Sequence, residues 1–308
     1  MKGRRSRFSP PGGRKLAHIR SLLVLCNPTA AGGRAVRRLP EVETELRRLG
    51  ADFRSVQTLD AAHARELAAE AGREGKTVVS VGGDGLLRPL AAALRDTDGA
   101  LAVIPAGRGN DFARVLGVPE DPLVAARIAV QGRERMIDVA QADGEAYLGI
   151  ASLGFDSDAN RIANESRVIR GNMVYLYSAL RALASWKCAS FAVTVDGERH
   201  ELRGYSVAVA NSKAYGGGMY IAPDAELDDG LLDVVAIREV SRLRFLANMP
   251  KVFRGNHLDE PSVFTHRGSE ITVEAERRFR VYADGDPIAD VPVTMTVAQR
   301  CLRVVGPA

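Results

Sequence analysis

Thr77-Val78-Val79-Ser80-Val81-Gly82-Gly83-Asp84-Gly85 is the stretch on which the fold turns. Thr77 to Val81 reads as a short buried strand, and the glycine-rich turn after it leads into a helix through Leu94. Glycines at a strand-to-helix turn admit backbone torsions that other residues resist and let main-chain N–H groups approach a polyphosphate. The helix N-terminus adds a dipole favourable to anions. Asp84 opposes phosphates unless it works through Mg²⁺ or fixes the loop by accepting backbone hydrogen bonds. Read alone, the turn is either an ordinary tight turn or a phosphate cradle. It is not a Walker A loop, because no Gly-Lys-Ser/Thr follows.

Outward from this turn the first half alternates strand and helix. Ser21 to Cys26 is a buried strand, and a helix from about Gly33 to Leu49 carries Val36, Leu39, Val42, Leu46 and Leu49 at steps of three and four. Asp60 caps an Ala-rich helix from Ala61 to Glu74. Leu101 to Pro105 is a further strand, and Asp121-Pro122 opens another helix with a cap and a proline at the first helical position. Such alternation favours a parallel sheet covered by helices on both faces, an α/β N-terminal domain.

From about Ile137 the texture becomes β-rich, with strands expected at Ala146 to Ala151, Phe191 to Val195, Tyr205 to Ala210 and Leu231 to Ile237. Further strands are expected near Ile271 to Val273, Arg280 to Ala283, Val293 to Val297 and Leu302 to Val305. Asp196-Gly197 is a hairpin signal. The second half therefore reads as an all-β C-terminal sandwich, interrupted by helices at Asp158 to Glu165 and Met173 to Trp186. Met173, Leu176, Leu180 and Leu183 share one face of the second helix and read as core.

The chain has 308 residues, 46% hydrophobic and 26% charged, enough for two domains. Its net charge of +4 is unevenly placed: ten Lys and Arg precede the first acid, Glu41, leaving the rest at about −6. Residues 1–17 form a basic leader too poor in apolar side chains to order itself. It either touches nothing specific or is drawn to anionic lipid headgroups at about 1 kcal/mol per basic residue. The apolar run Ser21 to Cys26 is too short for a membrane span and fits no signal peptide, so a cytoplasmic protein is expected. Cys26, Cys188 and Cys301 are in no metal-ligand spacing and suit a reducing compartment.

Two further loops change the reading of the turn. Cys26-Asn27-Pro28-Thr29-Ala30-Ala31-Gly32-Gly33 ends the first strand, and Ala102-Val-Ile-Pro-Ala-Gly-Arg-Gly-Asn-Asp111 ends the one after the turn. In an open parallel sheet ligands lie outside the carboxyl ends of the strands, where all three loops fall. Their joint occurrence resembles the diacylglycerol kinase catalytic-domain family of soluble bacterial lipid kinases, related to sphingosine and ceramide kinases and more remotely to NAD kinases and phosphofructokinases. Gly154-Phe155-Asp156, Asn211 to Gly218, Pro223 to Asp233 and Asp284-Gly285-Asp286 also fit, so the resemblance runs from about residue 20 to the C-terminus.

The resemblance implies a kinase with ATP between an α/β domain (18–136) and a β-sandwich (137–290), and a final segment (291–308) returning to the first domain. It implies ATP contacts at Asn27, Thr29, Thr58, Gly82, Gly83, Asp84, Gly85, Gly107, Arg108, Gly109 and Asn110. It implies a structural Mg²⁺ at the Asp229 carboxylate and the main-chain oxygens of Glu226 and Leu231. Asp286 is the expected catalytic base, with Asp84 a second catalytic residue and Asp284 the rival within the same turn. The implied reaction is γ-phosphoryl transfer to a lipid hydroxyl, most simply diacylglycerol to phosphatidic acid. The implied partner is a lipid at the membrane surface, with peripheral contact to anionic membrane; no nucleic acid is expected, and a homo-oligomer is compatible. The chain departs from the family at Leu86, Arg88 and Pro89, where Thr, Asn and Glu are usual, at Arg108 for Thr, and at Asp286 for Glu. These departures keep open a catalytically silent nucleotide- or lipid-binding module, or a kinase of a sphingoid base or other alcohol. Arg108, or else Arg88, would replace the lost hydroxyl donors by charge-assisted contacts to phosphate.

Overall fold

A computed structural model describes residues 20–155 and 186–308. The expected leader and, Trp186 apart, the two expected helices between 158 and 186 lie outside the described residues. Four strands, β1 (Ser21–Cys26), β2 (Asp52–Gln57), β3 (Thr77–Gly82) and β4 (Ala100–Pro105), lie parallel in the order β2-β1-β3-β4. β3 and β4 are buried throughout and β1 at all but its first residue, as expected of apolar strands covered on both faces. β2 is the edge, and its polar sequence DFRSVQ is why the apolar pattern gave no strand there.

The connecting helices are α1 (Arg34–Arg48), α2 (Ala61–Arg73), α3 (Asp84–Leu94), α4 (Asp111–Val115) and α5 (Pro122–Gln131). α1 packs against α5, and α2 against α3. The buried stripe of α1 is Ala35, Leu39, Val42 and Leu46, joined by Glu45. Glu45 binds Arg48 at 2.7 Å and Arg127 of α5 at 2.5 Å, and these hydrogen bonds pull its carboxyl down to about 2. From β1 the chain steps to β2 on one side, and β3 then lies on the other. That reversal opens a crevice at the carboxyl ends of β1 and β3.

The second half is antiparallel: β5 (Arg133–Ala142), β6 (Glu145–Tyr147), β7 (Ile150–Gly154), β8 (Ala189–Val195), β9 (Glu198–Ala210), β10 (Leu232–Arg238), β11 (Val263–Gly268), β12 (Glu270–Ala275), β13 (Arg280–Ala283), β14 (Asp286–Asp290) and β15 (Val293–Gly306), with α6 (Arg242–Val252) between β10 and β11. Strands run in the order β14-β13-β7-β9-β8-β12-β15, and β10 and β11 extend from β9. Three Asp-Gly pairs, 143–144, 196–197 and 284–285, have positive φ at both residues, as a two-residue hairpin turn of type I′ requires.

Several expectations need correction. Ala146 to Ala151 is two strands, because the Leu148 and Gly149 amides turn aside to Asp284. Val293–Val297 and Leu302–Val305 form one strand, β15, whose pairing with β5 shifts between Ala298 and Leu302, where Arg300 has φ +45°. The strands β2, β5, β11 and β14 and the helices α4 and α6 have no counterpart among the elements expected from the sequence.

β15 ties the two halves together. Its first residues pair with β12, and Arg303 and Val304 lie parallel beside Ala100 and Leu101 of β4. β5 runs antiparallel along β15 from Arg133 to Ala142, across the position where a boundary after residue 136 is expected. One apolar core fills the parallel sheet and its helices and includes Leu302, Val304 and Val305; another, around Phe155, Phe191, Tyr205 and Phe245, fills the sandwich. Among the described residues no helix is long and apolar enough to cross a membrane.

Candidate active site

The three loops of the sequence reading meet at the carboxyl ends of β1, β3 and β4. Asn27 follows β1, and its side-chain oxygen accepts from Thr29 N at 3.0 Å and Thr29 Oγ at 2.9 Å, a local Asx turn. Thr58 is buried, with N and Oγ donating to the Cys26 carbonyl at 2.9 and 3.3 Å, so its hydroxyl braces the end of β1 from behind.

The glycines of the β3 turn are not there for unusual torsions. Gly83 is extended, at φ −106° and ψ −176°, and Gly82 and Gly85 are not among the positive-φ residues. The need is proximity: a Cβ on Gly107 would stand 2.4 Å from Gly83 Cα. Two loops therefore pack backbone on backbone, joined by Ala106 N to Gly82 O at 2.7 Å. Asn110 locks the second loop, accepting from Gly107 N at 2.8 Å and donating to Gly107 O at 3.3 Å.

Around these loops α1, α3 and α4 begin at Gly33, Gly83 and Asn110 with no side-chain cap. The other three described helices are capped, by Asp60, Asp121 and Ser241. The first turns of α1 and α3 converge uncapped on one crevice and carry the partial positive charge that suits phosphate, whereas the first amides of α4 are taken by the Asp84 carboxylate. Arg34 reaches the Gly107 carbonyl at 3.0 Å, which brings a guanidinium to the same rim. Arg108 is exposed and makes no ion pair among the described residues.

Three carboxylates line a cleft of about 100 Å³ with Phe112, Gly149 and Tyr215. Asp84 accepts from Asp111 N at 3.2 Å and Phe112 N at 3.1 Å, which ties the β3 turn to the start of α4. Burial, then the charge of Asp111, pushes its carboxyl up. Asp111 accepts from Arg114 at 2.5 Å and Gly217 N at 2.8 Å. Asp284, in the β13–β14 hairpin turn, accepts from Leu148 N and Gly149 N at 2.9 and 2.8 Å. Burial raises its carboxyl to about 6, with the Asp84 charge adding to the rise. A Cβ on Gly149 would stand 2.4 Å from Asp284 Oδ1, so only glycine allows this approach.

Asp286 opens β14 and faces the β3 turn from the sandwich side. A Cβ on Gly85 would be 4.0 Å from its Oδ2, and Arg88 of α3 stands 3.8 Å from the same oxygen. Its side chain is 51% exposed, open to a second substrate in a way Asp284 is not. Gly109 lies against Asp84 and Asp111, where a Cβ would stand 3.1 and 3.0 Å from their oxygens. Leu86 is buried in the core of the parallel half, so the position of the missing hydroxyl is a packing position.

The acidic turn holding Glu226, Asp229 and Leu231 lies apart from this cleft's lining. Asp229 accepts from Leu231 N at 3.0 Å and from Arg267 at 2.5 Å, and Arg267 also binds Asp233 at 3.0 Å. Its charge is thus already compensated, and Mg²⁺ would have to displace a guanidinium. This donor set does not fit the cation as it stands, whereas Asp84 and Asp284 line one cleft, the Asp84 charge raises the Asp284 carboxyl, and neither makes an ion pair among the described residues.

Residues assigned no role from the sequence hold the site in shape. Asp138 is fully buried and accepts from Gly230 N at 2.7 Å and Arg300 N at 2.6 Å, pinning both the acidic turn and the bend of β15. Asn211 donates to the Asp138 and Leu148 carbonyls at 3.3 and 3.1 Å, which sets the amides facing Asp284. The signal for Asp138 is present in the sequence, an acid inside the apolar run Ile137-Asp138-Val139. Arg34 gives none.

Residues 21–142 match the family described as diacylglycerol kinase catalytic domain, and residues 149–306 the family described as YegS C-terminal NAD kinase beta sandwich-like domain. The chain is 34% identical over 297 residues to a protein named diacylglycerol kinase from Mycobacterium tuberculosis (strain CDC 1551 / Oshkosh), covering 94% of this chain and 96% of that one. It is 27% identical over 291 residues to a protein of the same name from Bacillus subtilis (strain 168), covering 92% and 95%. A crystal structure of a diacylglycerol kinase from Bacillus anthracis superposes with a TM-score of 0.74 at 21% identity, over 94% of this chain and 98% of that one, a likeness of fold. With both halves matched and a relative aligned over almost its whole length, the chain belongs to the diacylglycerol kinase catalytic-domain family of lipid kinases, phosphotransferases with an alcohol group as acceptor.

Proposed function

We propose that this chain transfers the γ-phosphoryl group of ATP to a lipid hydroxyl, most directly from diacylglycerol to phosphatidic acid. The observation that carries the reading is the convergence of two uncapped helix starts, those of α1 and α3, on the β1–β3 crevice, with the open Asp286 carboxylate across from Gly85. The similarity to two proteins named diacylglycerol kinase supports this acceptor.

In this reading Asn27, Thr29, Gly82, Gly83, Gly85 and the loop Gly107, Arg108, Gly109 and Asn110 surround the phosphates, with Thr58 bracing them. Arg108 and Arg34 add positive charge at the rim. Asp286 accepts the proton of the attacking hydroxyl as the bond between γ-phosphorus and the ADP oxygen breaks and the bond to the lipid oxygen forms. Arg88 orients that carboxylate, and its exposure lets the proton pass on to water. Asp84 and Asp284 fix the loops and would hold Mg²⁺ accompanying the nucleotide; when bound it supplies charge stabilisation to the transferring phosphoryl group. Residues 18–136 would serve the nucleotide, 137–290 the acceptor, and 291–308 would lock the two together. A lipid acceptor places the working chain at a membrane surface, where the basic leader would meet anionic headgroups.

The test is incubation of purified chain with radiolabelled ATP, Mg²⁺ and a mixed lipid extract containing diacylglycerol, followed by separation of products. A labelled lipid that disappears with Asp286→Asn is the expected result. Nucleotide binding without transfer to any lipid would overturn it in favour of a silent module.

A further inference from the structure

Glu198 and His200 stand two residues apart at the start of β9, so the pleat aims both side chains to one face. His266 of β11 meets them there, its ring centroid 4.8 Å from that of His200. One ligating atom from each of the three residues lies within 4.8 Å of the others. His200 Nε2 is 3.6 Å from Glu198 Oε1, beyond hydrogen-bond reach. That nitrogen is buried and has no hydrogen-bond partner among the described residues. Two atoms bound to one zinc ion at its usual bond lengths stand about 3.3 Å apart, so the pair is already near ligand spacing.

The surroundings supply what a metal-bound imidazole needs. His266 Nδ1 lies 3.2 Å from the Arg267 carbonyl oxygen, an acceptor for its proton in the tautomer whose Nε2 ligates. In the other tautomer the same Nδ1 accepts the Arg267 N–H at 2.9 Å. Phe264 packs 5.2 Å from the His200 ring and limits its rotation. Two imidazoles with one carboxylate select a borderline divalent metal over Mg²⁺ or Ca²⁺, which take oxygen ligands. Cys26, Cys188 and Cys301 are buried elsewhere and do not compete.

We propose that Glu198, His200 and His266 bind one divalent transition metal of the zinc class, with water as fourth ligand. The site shares no residue with the phosphate crevice or the carboxylate cleft. It clips the start of β9 to β11, beside the Arg267 that holds Asp229 and Asp233. It is a structural clip, and its occupancy leaves phosphoryl transfer unchanged.

The experiment titrates Zn²⁺ into chelator-treated full-length chain, in excess Mg²⁺, against a chromophoric zinc chelator. One Zn²⁺ per wild-type chain, bound in the micromolar range or tighter, is expected, with a rise in thermal midpoint. His200→Gln and His266→Gln each weaken binding by roughly 100-fold or more and abolish the midpoint rise. Glu198→Gln alters a side chain that is 70% exposed, so it keeps the fold and still weakens binding. A wild type that binds no zinc in this range, or variants that bind as tightly as wild type, would overturn the site and leave Glu198 and His200 a surface ion pair.

Discussion

Replacing Asp284 by asparagine tests the cleft through its electrostatics. The carboxyl is raised from its ordinary 3.8 to about 6, by burial first and the Asp84 charge next, against the lowering amides of Leu148 and Gly149. A folded-state pKa above the unfolded one means that the folded chain holds the proton to higher pH. Asp284 therefore contributes stability that is full below about pH 3.8 and lost as pH rises through about 6. At about 1.36 kcal/mol per unit, the whole loss is about 3 kcal/mol, of which about 2 kcal/mol falls between about pH 4.5 and about pH 7.5. Asparagine has no such proton. It also leaves one of the two facing amides without its acceptor, a fixed cost of about 1–3 kcal/mol that does not vary with pH. The readout is the slope: the stability difference between variant and wild type should swing toward the variant by about 2 kcal/mol across that range. Urea unfolding followed by fluorescence of the single tryptophan, Trp186 in the sandwich core, and by circular dichroism measures it. Asp84→Asn should shrink the swing, because it removes one of the raising charges. Parallel profiles for Asp284→Asn and wild type would refute the reasoning, since Asp284 would then ionise in the fold as it does in the open chain.

Asp286→Asn should lower turnover by roughly 10²–10⁴-fold with nucleotide affinity almost unchanged, and Asp286→Glu should keep more activity, as read by steady-state kinetics and nucleotide titration. Arg108→Ala should weaken ATP binding about tenfold, or about 1.4 kcal/mol, by calorimetry; unchanged affinity and turnover would make it a surface charge. Gly107→Ala puts a methyl 2.4 Å from Gly83 Cα and should cost about 1–3 kcal/mol of stability, whereas Gly85→Ala, with only Asp286 Oδ2 near at 4.0 Å, should fold normally and raise the KM for ATP. Arg267→Gln strips the shared cation from Asp229 and Asp233 and should destabilise the chain by about 1–2 kcal/mol, recoverable with millimolar Mg²⁺ in the variant and not in wild type.

The parallel half was legible because its signals are local. Buried parallel strands are continuous apolar runs, their helices carry stripes at steps of three and four, and Asp60 and Asp121 cap as read. Strand β2 escaped because an edge strand has one neighbour and tolerates polar residues. The sandwich was legible as a texture with less certain ends: β11, VFTHRG, has half-exposed positions that carry little apolar alternation. Helix α6 escaped because only Phe245 is buried, so no stripe forms. For the site, the residues of the three loops stood out as short motifs, Asp111 among them, while the partners of Asp111, Asp138, Arg34 and Asn211 lie at separations that no motif spans.

The sequence by itself determined which loops flank the crevice, because chain order and apolar period place each glycine-rich turn at the end of a buried strand. It left open what each turn does there. Only the tertiary structure decided that Gly83 and Gly107 are needed for the contact between two backbones, that Asp84 spends its oxygens on the amides of α4, and that Asp229 answers to Arg267. Only the tertiary structure brought Asp286, some two hundred residues further along the chain, up to Gly85. The physical reason is one of range. Torsional preference and burial period are properties of neighbours in sequence, whereas the partner of a carboxylate is set by strand pairing across the whole chain.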